Sequence, residues 1–425
     1  MFKIAAATLL ALGLAMPAVA EITAIRAGRV ITDAAQPARG ASTILVENGR
    51  IIEINDAAAA LPAGAKVIDL SGKTVMPGLI DAHVHLTGTP DSQFWQEAVT
   101  TDEYSVAVGL ANAATTLRAG FTTVRDLGSG RLSGFAVRDA IANGIATGPR
   151  TLVSGPAISI IGGHGDVSGY RPEVNAALAM GNTCTGAEQC AARVREASRA
   201  GVDVIKITAT GGVLSQQARG LGQHFTDAEM RAIVTTAHGL GLKVAAHAHG
   251  ARGIEAAANA GVDSIEHGTF ADAAAIQAMV ANKTWYVPTL MAMVGIEERL
   301  GKGTYTPVVE AKIRETLAQR GKALAAAIKA GVRIAYGTDS AVYAHGRNGE
   351  EAAQMVKYAG MSPRAVLVSA TSGAAELLGV AAETGTLAVG KSADLIAVDG
   401  DPLSDVSVVE KPQFVMVKGK SIALQ

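Results

Sequence analysis

Imidazole, amine and carboxylate side chains recur along this 425-residue chain at the ends of short apolar runs: His83-Val-His85, Lys206, His247, His267 and Asp339. The runs are Gly78-Leu-Ile-Asp-Ala-His83, Val202-Asp-Val-Ile-Lys206, Lys243-Val-Ala-Ala-His247, Val262-Asp-Ser-Ile-Glu-His267 and Arg333-Ile-Ala-Tyr-Gly-Thr-Asp339. Each reads as a β-strand. In a barrel of parallel strands the C-terminal strand ends all open onto one mouth, so these side chains would converge there. Four imidazoles, one carboxylate and a lysine in one mouth describe a metal site with room for two ions.

His83 and His85 are two apart, so on an extended strand both rings face the same side and can chelate one ion. His-x-His alone is a weak signal. Preceded by Pro77-Gly-Leu-Ile-Asp81 and echoed by later strand-end histidines, it becomes a strong one. A lysine in Val204-Ile-Lys-Ile207 would ordinarily snorkel or form an ion pair. Buried beside cations, its amine sheds the proton more easily. A neutral amine can capture carbon dioxide as a carbamate, whose two oxygens would bridge two ions. His247 and His267 would complete the second ion's shell, and Asp339 would bind the first. Two divalent ions lower the pKa of a shared water and polarise a carbonyl. Asp339 is then the group expected to take and pass on the proton, which makes it the catalytic residue. A His-rich donor set suits zinc best, with manganese, cobalt or iron as substitutes.

Such side chains need a scaffold. Residues 76–383 alternate strand-like and Ala-rich helical stretches. Thr122-Thr-Val-Arg-Asp126, Arg150-Thr-Leu-Val-Ser154 and Trp285-Tyr-Val-Pro-Thr289 bring the strands to eight. That alternation predicts an α/β fold, a (β/α)8 TIM barrel. Residues 21–75 and 384–425 read instead as short strands and turns, and neither end has enough of them for a sheet of its own. A small composite β-sandwich domain built from both ends is expected.

Residues 1–20 form a secretory signal peptide by pattern: Met1-Phe-Lys3, an apolar run from Ile4 to Met16, then Ala18-Val-Ala20. The mature protein is expected to begin near Glu21 and to be exported, periplasmic or secreted. Cys184 and Cys190 are the two cysteines, and in an exported chain that spacing favours a local disulfide. Lys plus Arg total 37 against 38 Asp plus Glu, so no net charge steers the chain to nucleic acid or an anionic membrane. No later stretch has membrane-span length. The expected partner is a small-molecule substrate; a homo-oligomer is compatible with the sequence.

The chain resembles the amidohydrolase superfamily, in its two-metal branch with a carboxylated lysine. The likeness rests on Met76-Pro-Gly-Leu-Ile-Asp-Ala-His-Val-His85, Phe121-Thr-Thr-Val-Arg-Asp126, Ala246-His-Ala-His249, Ile265-Glu-His-Gly268, Gly337-Thr-Asp339 and Gly390-Lys-Ser-Ala-Asp-Leu395. It implies a first ion on His83, His85, Lys206 and Asp339, and a second on Lys206, His247 and His267. Within that superfamily the chain is similar to exported prolidase-like and ochratoxin-degrading enzymes. That likeness rests on Gly162-Gly-His-Gly-Asp166, Thr210-Gly-Gly-Val-Leu-Ser215 and His345-Gly-Arg-Asn348, all on loops that set specificity in this fold. It implies cleavage of an amide to release a C-terminal amino acid from dipeptides or N-acyl amino acids. His164, His249 and Arg219 are the candidate substrate contacts. A cyclic-amide hydrolase shares the same metal ligands and is the alternative enzyme. An exported metal- or ligand-binding protein is the alternative of another class. Tyr286 and Trp285 read as barrel packing.

Overall fold

The computed structural model describes residues 21–90, 94–216 and 220–424; the signal-peptide pattern and Arg219 lie outside the described residues. Three sheets are present among them. The first joins the two chain ends. From the N-terminal side come β1 (Thr23–Val30), β2 (Ser42–Glu47), β3 (Arg50–Asp56) and β4 (Lys66–Pro77). From the C-terminal side come β12 (Leu395–Val398), β13 (Phe414–Val417) and β14 (Lys420–Ile422). Their order is β14-β13-β12-β4-β1-β2-β3, so strands from both chain ends lie in one continuous sheet. β4 is its axis, pairing parallel with β1 and antiparallel with β12. The sheet bends until its turns meet: the Ala393 N–H donates to the Gly49 carbonyl at 2.8 Å. Ile25, Ile44 and Ile51 from one end then share a core with Leu395 and Met416 from the other.

The remaining strands are parallel and separated by helices. β5 (Leu79–Val84), β6 (Phe121–Asp126) and β7 (Arg150–Val153) make one sheet. β8 (Val204–Thr208), β9 (Lys243–Ala248), β10 (Ser264–His267) and β11 (Trp285–Val287) make the other. β5, β6 and β8 are buried along their whole length, as expected for parallel strands covered on both faces. The intervening helices carry ordinary local signals. Thr226 and Glu229, for example, form a reciprocal capping box at the start of the helix Asp227–Gly239.

The eighth expected strand differs. Residues 333–340 make parallel bridges on both sides, Tyr286 with Ile334 and Val84 with Ser340, but no continuous ladder. Tyr336 sends its N–H to the Ser369 carbonyl, Thr338 sends one to the Asp81 carboxylate, and Asp339 adopts a left-handed backbone with φ 61°. On the opposite side, Ile158 bridges to Ile207 of β8.

Lys206 is the middle residue of β8 rather than its last, because the strand runs on to Thr208. Cys184 and Cys190 are disulfide-bonded, tying residue 184 to the helix Ala187–Ala200. No helix among the described residues is long and apolar enough to cross a membrane.

Candidate metal centre

Two trios of donors face one cavity of about 510 Å³: His83, His85 and Asp339, and His247, His249 and His267. In the first, Asp339 Oδ1 lies 3.1 Å from His85 Nε2 and 3.4 Å from His83 Nε2. Lys206 Nζ joins this trio from β8, 3.5 Å from His83 Nε2. In the second, the His247 and His267 rings are 4.6 Å apart, and the His249 ring stacks on His267 at 4.9 Å. His83 and His267, with ring centroids 5.0 Å apart, connect the two groups.

The outer nitrogens are already engaged. His83 Nδ1 meets Glu266 Oε2 at 2.8 Å, and His85 Nδ1 meets the Gly128 carbonyl at 2.9 Å. His267 Nδ1 meets Thr289 Oγ1 at 2.7 Å, and His249 Nδ1 meets Thr269 Oγ1 at 2.9 Å. Each of these leaves Nε2 as the inward lone pair, the arrangement by which proteins orient metal-binding imidazoles. His247 is reversed: Nε2 faces the Gly211 carbonyl at 3.3 Å, which leaves Nδ1 for an ion.

Electrostatics agree with that use. Burial holds His83 down to about 4, and pulls His247 and His267 well below the usual range. These rings are neutral at neutral pH, as a metal ligand requires. Burial also lowers His85, but the Asp339 carboxylate outweighs it and raises that ring. For Asp339, burial opposes ionisation while His83 and His85 overcome it, so the carboxylate stays charged. Desolvation brings the Lys206 amine down to about 8. The donor set, imidazoles with one carboxylate and a readily deprotonated amine, fits borderline divalent cations.

Several residues outside the expected set hold this geometry. Glu266 is fully buried and grips Arg125 at 3.0 Å as well as His83. Alternation along β10 would send Glu266 and His267 to opposite faces. His267 escapes that rule through a left-handed backbone, φ 71°, so both side chains reach the interior. Tyr286 brackets this strained residue, its single hydroxyl hydrogen shared between the carbonyls of His267 at 2.9 Å and Gly268 at 3.1 Å, a role beyond packing. Asp81 ties β5 to residues 338 and 348, accepting from Thr338 Oγ1 at 2.6 Å and Asn348 Nδ2 at 2.8 Å. Three of these residues sit within the quoted motifs: Glu266 beside His267, Asp81 two before His83, and Arg125 next to Asp126. Their polarity inside otherwise apolar strands was the available signal.

Among the loop candidates, His164 lines the cavity, its ring 4.2 Å from His247 and its Nδ1 2.6 Å from Ser215 Oγ. Gly212 makes this possible, since a Cβ there would lie 2.3 Å from the His164 ring. His249 also lines the cavity. The segment His345–Asn348 does not: Asn348 turns inward to Asp81, and Arg347 pairs with Glu298 and Glu350. That loop serves the scaffold, not the cavity wall.

The comparisons agree with the geometry. Residues 74–422 match the model of the Amidohydrolase family. Ochratoxinase of Aspergillus niger is 33% identical over 417 residues, spanning 93% of this chain and 85% of that protein. A solved Xaa-Pro dipeptidase with bound methionine in its active site superposes with a TM-score of 0.86 at 35% identity, covering 94% of this chain and 99% of that one. A prolidase complexed with N-methylphosphonate-L-proline gives 0.86 at 31% identity, covering 95% of this chain and 100% of that one. The chain belongs to the amidohydrolase family.

Proposed function

We propose that this hydrolase is a two-metal enzyme that releases a C-terminal amino acid from dipeptides or N-acyl amino acids. The observation behind this reading is the pair of donor trios on one cavity, joined through His83 and His267, with Lys206 beside His83. His83, His85 and Asp339 would hold one ion, His247 and His267 the other, and Lys206, as a carbamate, would contribute to both. Zinc is the expected metal. Bound ions would acidify a water and polarise the scissile carbonyl.

The chain's own groups do the rest. Asp339, ionised and at the cavity wall, would accept the proton of the attacking water and deliver it to the leaving nitrogen. Glu266 keeps a hydrogen on His83 Nδ1 and so keeps Nε2 free. His164 and His249 face the substrate side. The bridges made by residues 158 and 333–340 support a (β/α)8 barrel over 76–383, and the shared sheet supports one unit from 21–75 and 384–425. The disulfide fits an oxidising, exported location with cleavage near Ala20.

The test is Asp339→Asn in metal-loaded protein. An amide oxygen still coordinates but cannot shuttle a proton, so kcat should fall roughly 10²–10⁴-fold with metal largely retained. Unchanged kcat in a folded, metallated variant would assign the proton elsewhere. Scissile-bond class is tested by offering N-acyl amino acids beside cyclic amides. Turnover of cyclic amides alone would replace the carboxypeptidase-like reading with the cyclic-amide one.

A further inference from the structure

Beyond the metal centre, the cavity is walled by apolar side chains from two loops and a helix. Val213 and Leu214 come from the loop after β8, Met293 and Ile296 from the helix Leu290–Arg299, and Val342 from the loop after Asp339. Val213 and Ile296 also belong to one buried cluster, against which Leu214, Tyr305 and Val342 pack, so this wall is a preformed surface. The same helix ends in Arg299, the one guanidinium among the described residues lining the cavity.

Arg299 is held in place by neutral oxygens. Its Nε donates to the Tyr305 hydroxyl at 3.0 Å, and its two terminal nitrogens donate to the carbonyls of Pro90 and Val342. The guanidinium stands 5.8 Å from the Tyr305 ring centre. Three of five N–H groups are thus engaged, which fixes the fork and leaves donors over. Val342 in turn donates its N–H to the Asp339 carbonyl at 3.1 Å, so the guanidinium is bonded to the loop that leaves the metal centre. A rigid, pre-oriented guanidinium beside an apolar wall matches one ligand: an α-carboxylate next to a hydrocarbon side chain.

We infer that Arg299 binds the free carboxylate of the leaving amino acid, while Val213, Leu214, Met293, Ile296 and Val342 receive an apolar side chain on that residue. This deepens the proposed function and rests on it for the identity of the leaving group. The substrate class becomes N-acyl or dipeptide amides ending in Leu-, Met- or Phe-like residues.

Binding and turnover separate the two claims. N-acetyl-L-phenylalanine and N-acetyl-L-phenylalaninamide are titrated calorimetrically into zinc-loaded Asp339→Asn protein, with and without Arg299→Gln. Loss of a charged hydrogen-bonding partner should weaken the acid roughly 10- to 100-fold and leave the amide nearly unchanged. N-acetyl-L-aspartate should bind more weakly than the phenylalanine derivative. Arg299→Lys, which keeps the charge without the fork, should fall between and replaces Arg299→Gln if that variant fails to fold. Equal weakening of acid and amide would make Arg299 a scaffold residue and overturn the inference, as would an unweakened acid. Wild-type protein that distinguishes acid from amide through Arg299 but hydrolyses neither dipeptides nor N-acyl amino acids would keep this subsite and discard the proposed reaction.

Discussion

Glu266→Gln removes one charge from the buried interior and keeps the volume. Its carboxylate has no solvent exposure and accepts three hydrogen bonds: His83 at 2.8 Å, Arg125 at 3.0 Å and Ser264 at 2.5 Å. Burial opposes its ionisation, yet Arg125 and His83 hold it down to about 2. Its contribution is therefore complete above the ordinary carboxylate range and drains only as pH falls towards 2. In the variant the amide oxygen can serve either Arg125 or His83, not both as a charge. Arg125 is left a buried cation without a counter-charge, and breaking such a pair costs ~3–5 kcal/mol. A second effect acts on the site. An amide NH2 turned towards His83 Nδ1 drives the hydrogen to Nε2, the nitrogen facing Asp339. Loss of such an outer partner typically weakens metal binding 10- to 100-fold, ~1.4–2.8 kcal/mol. Urea unfolding of metal-stripped protein measures the first quantity and calorimetric zinc titration the second. A variant with the wild-type unfolding midpoint and wild-type zinc affinity would refute the claim that Glu266 sets the His83 tautomer.

Three further outcomes are expected. Lys206→Ala should lose most of its second equivalent of zinc by elemental analysis and most of its activity, with partial recovery in short-chain carboxylates; two tightly held ions and normal turnover would sink the bridging role. Gly212→Ala should displace His164, since the new Cβ would sit 2.3 Å from its ring, raising KM more than it lowers kcat while zinc content stays at wild type. Glu351 is fully buried and caps the helix Leu290–Arg299 through the N–H groups of Leu290 and Met291, at 2.9 and 2.6 Å. Burial pushes it up to about 8, so its stabilising contribution is present at pH 4 and is lost as pH rises through 8. Glu351→Gln should be destabilised by ~1–3 kcal/mol at low pH, because its NH2 faces a backbone N–H, and the gap to wild type should shrink by pH 9. A pH-independent gap in urea unfolding would contradict this.

How much of this was legible in the chain follows from range. The strands of both sheets lay close to the runs that their apolar patterning marked, because burial on both faces demands continuous hydrophobic residues. The convergence of His83, His85, Lys206, His247, His267 and Asp339 on one cavity was also readable, since parallel strands open one way. What local pattern could not supply was pairing between distant groups. Glu266 and Arg125 are 141 positions apart, and Asp81 and Asn348 are 267 apart. Nothing in either neighbourhood names the other.

The left-handed backbones at His267 and Asp339 were equally hidden, because intrinsic preference opposes them at non-glycine residues and only surrounding hydrogen bonds hold them. The same holds for the eighth strand, whose apolar pattern was correct while its ladder was interrupted by the Ser369 carbonyl, the Asp81 carboxylate and the left-handed Asp339. Arg299 had no motif at all. It became a candidate when the helix Leu290–Arg299 and two loops folded against one cavity. Sequence determined which chemistry the chain carries, because donor types and strand period are local properties. Tertiary structure decided which groups hold the donors still and which guanidinium reaches the cavity, because those depend on contacts that only the folded chain brings within 3 Å.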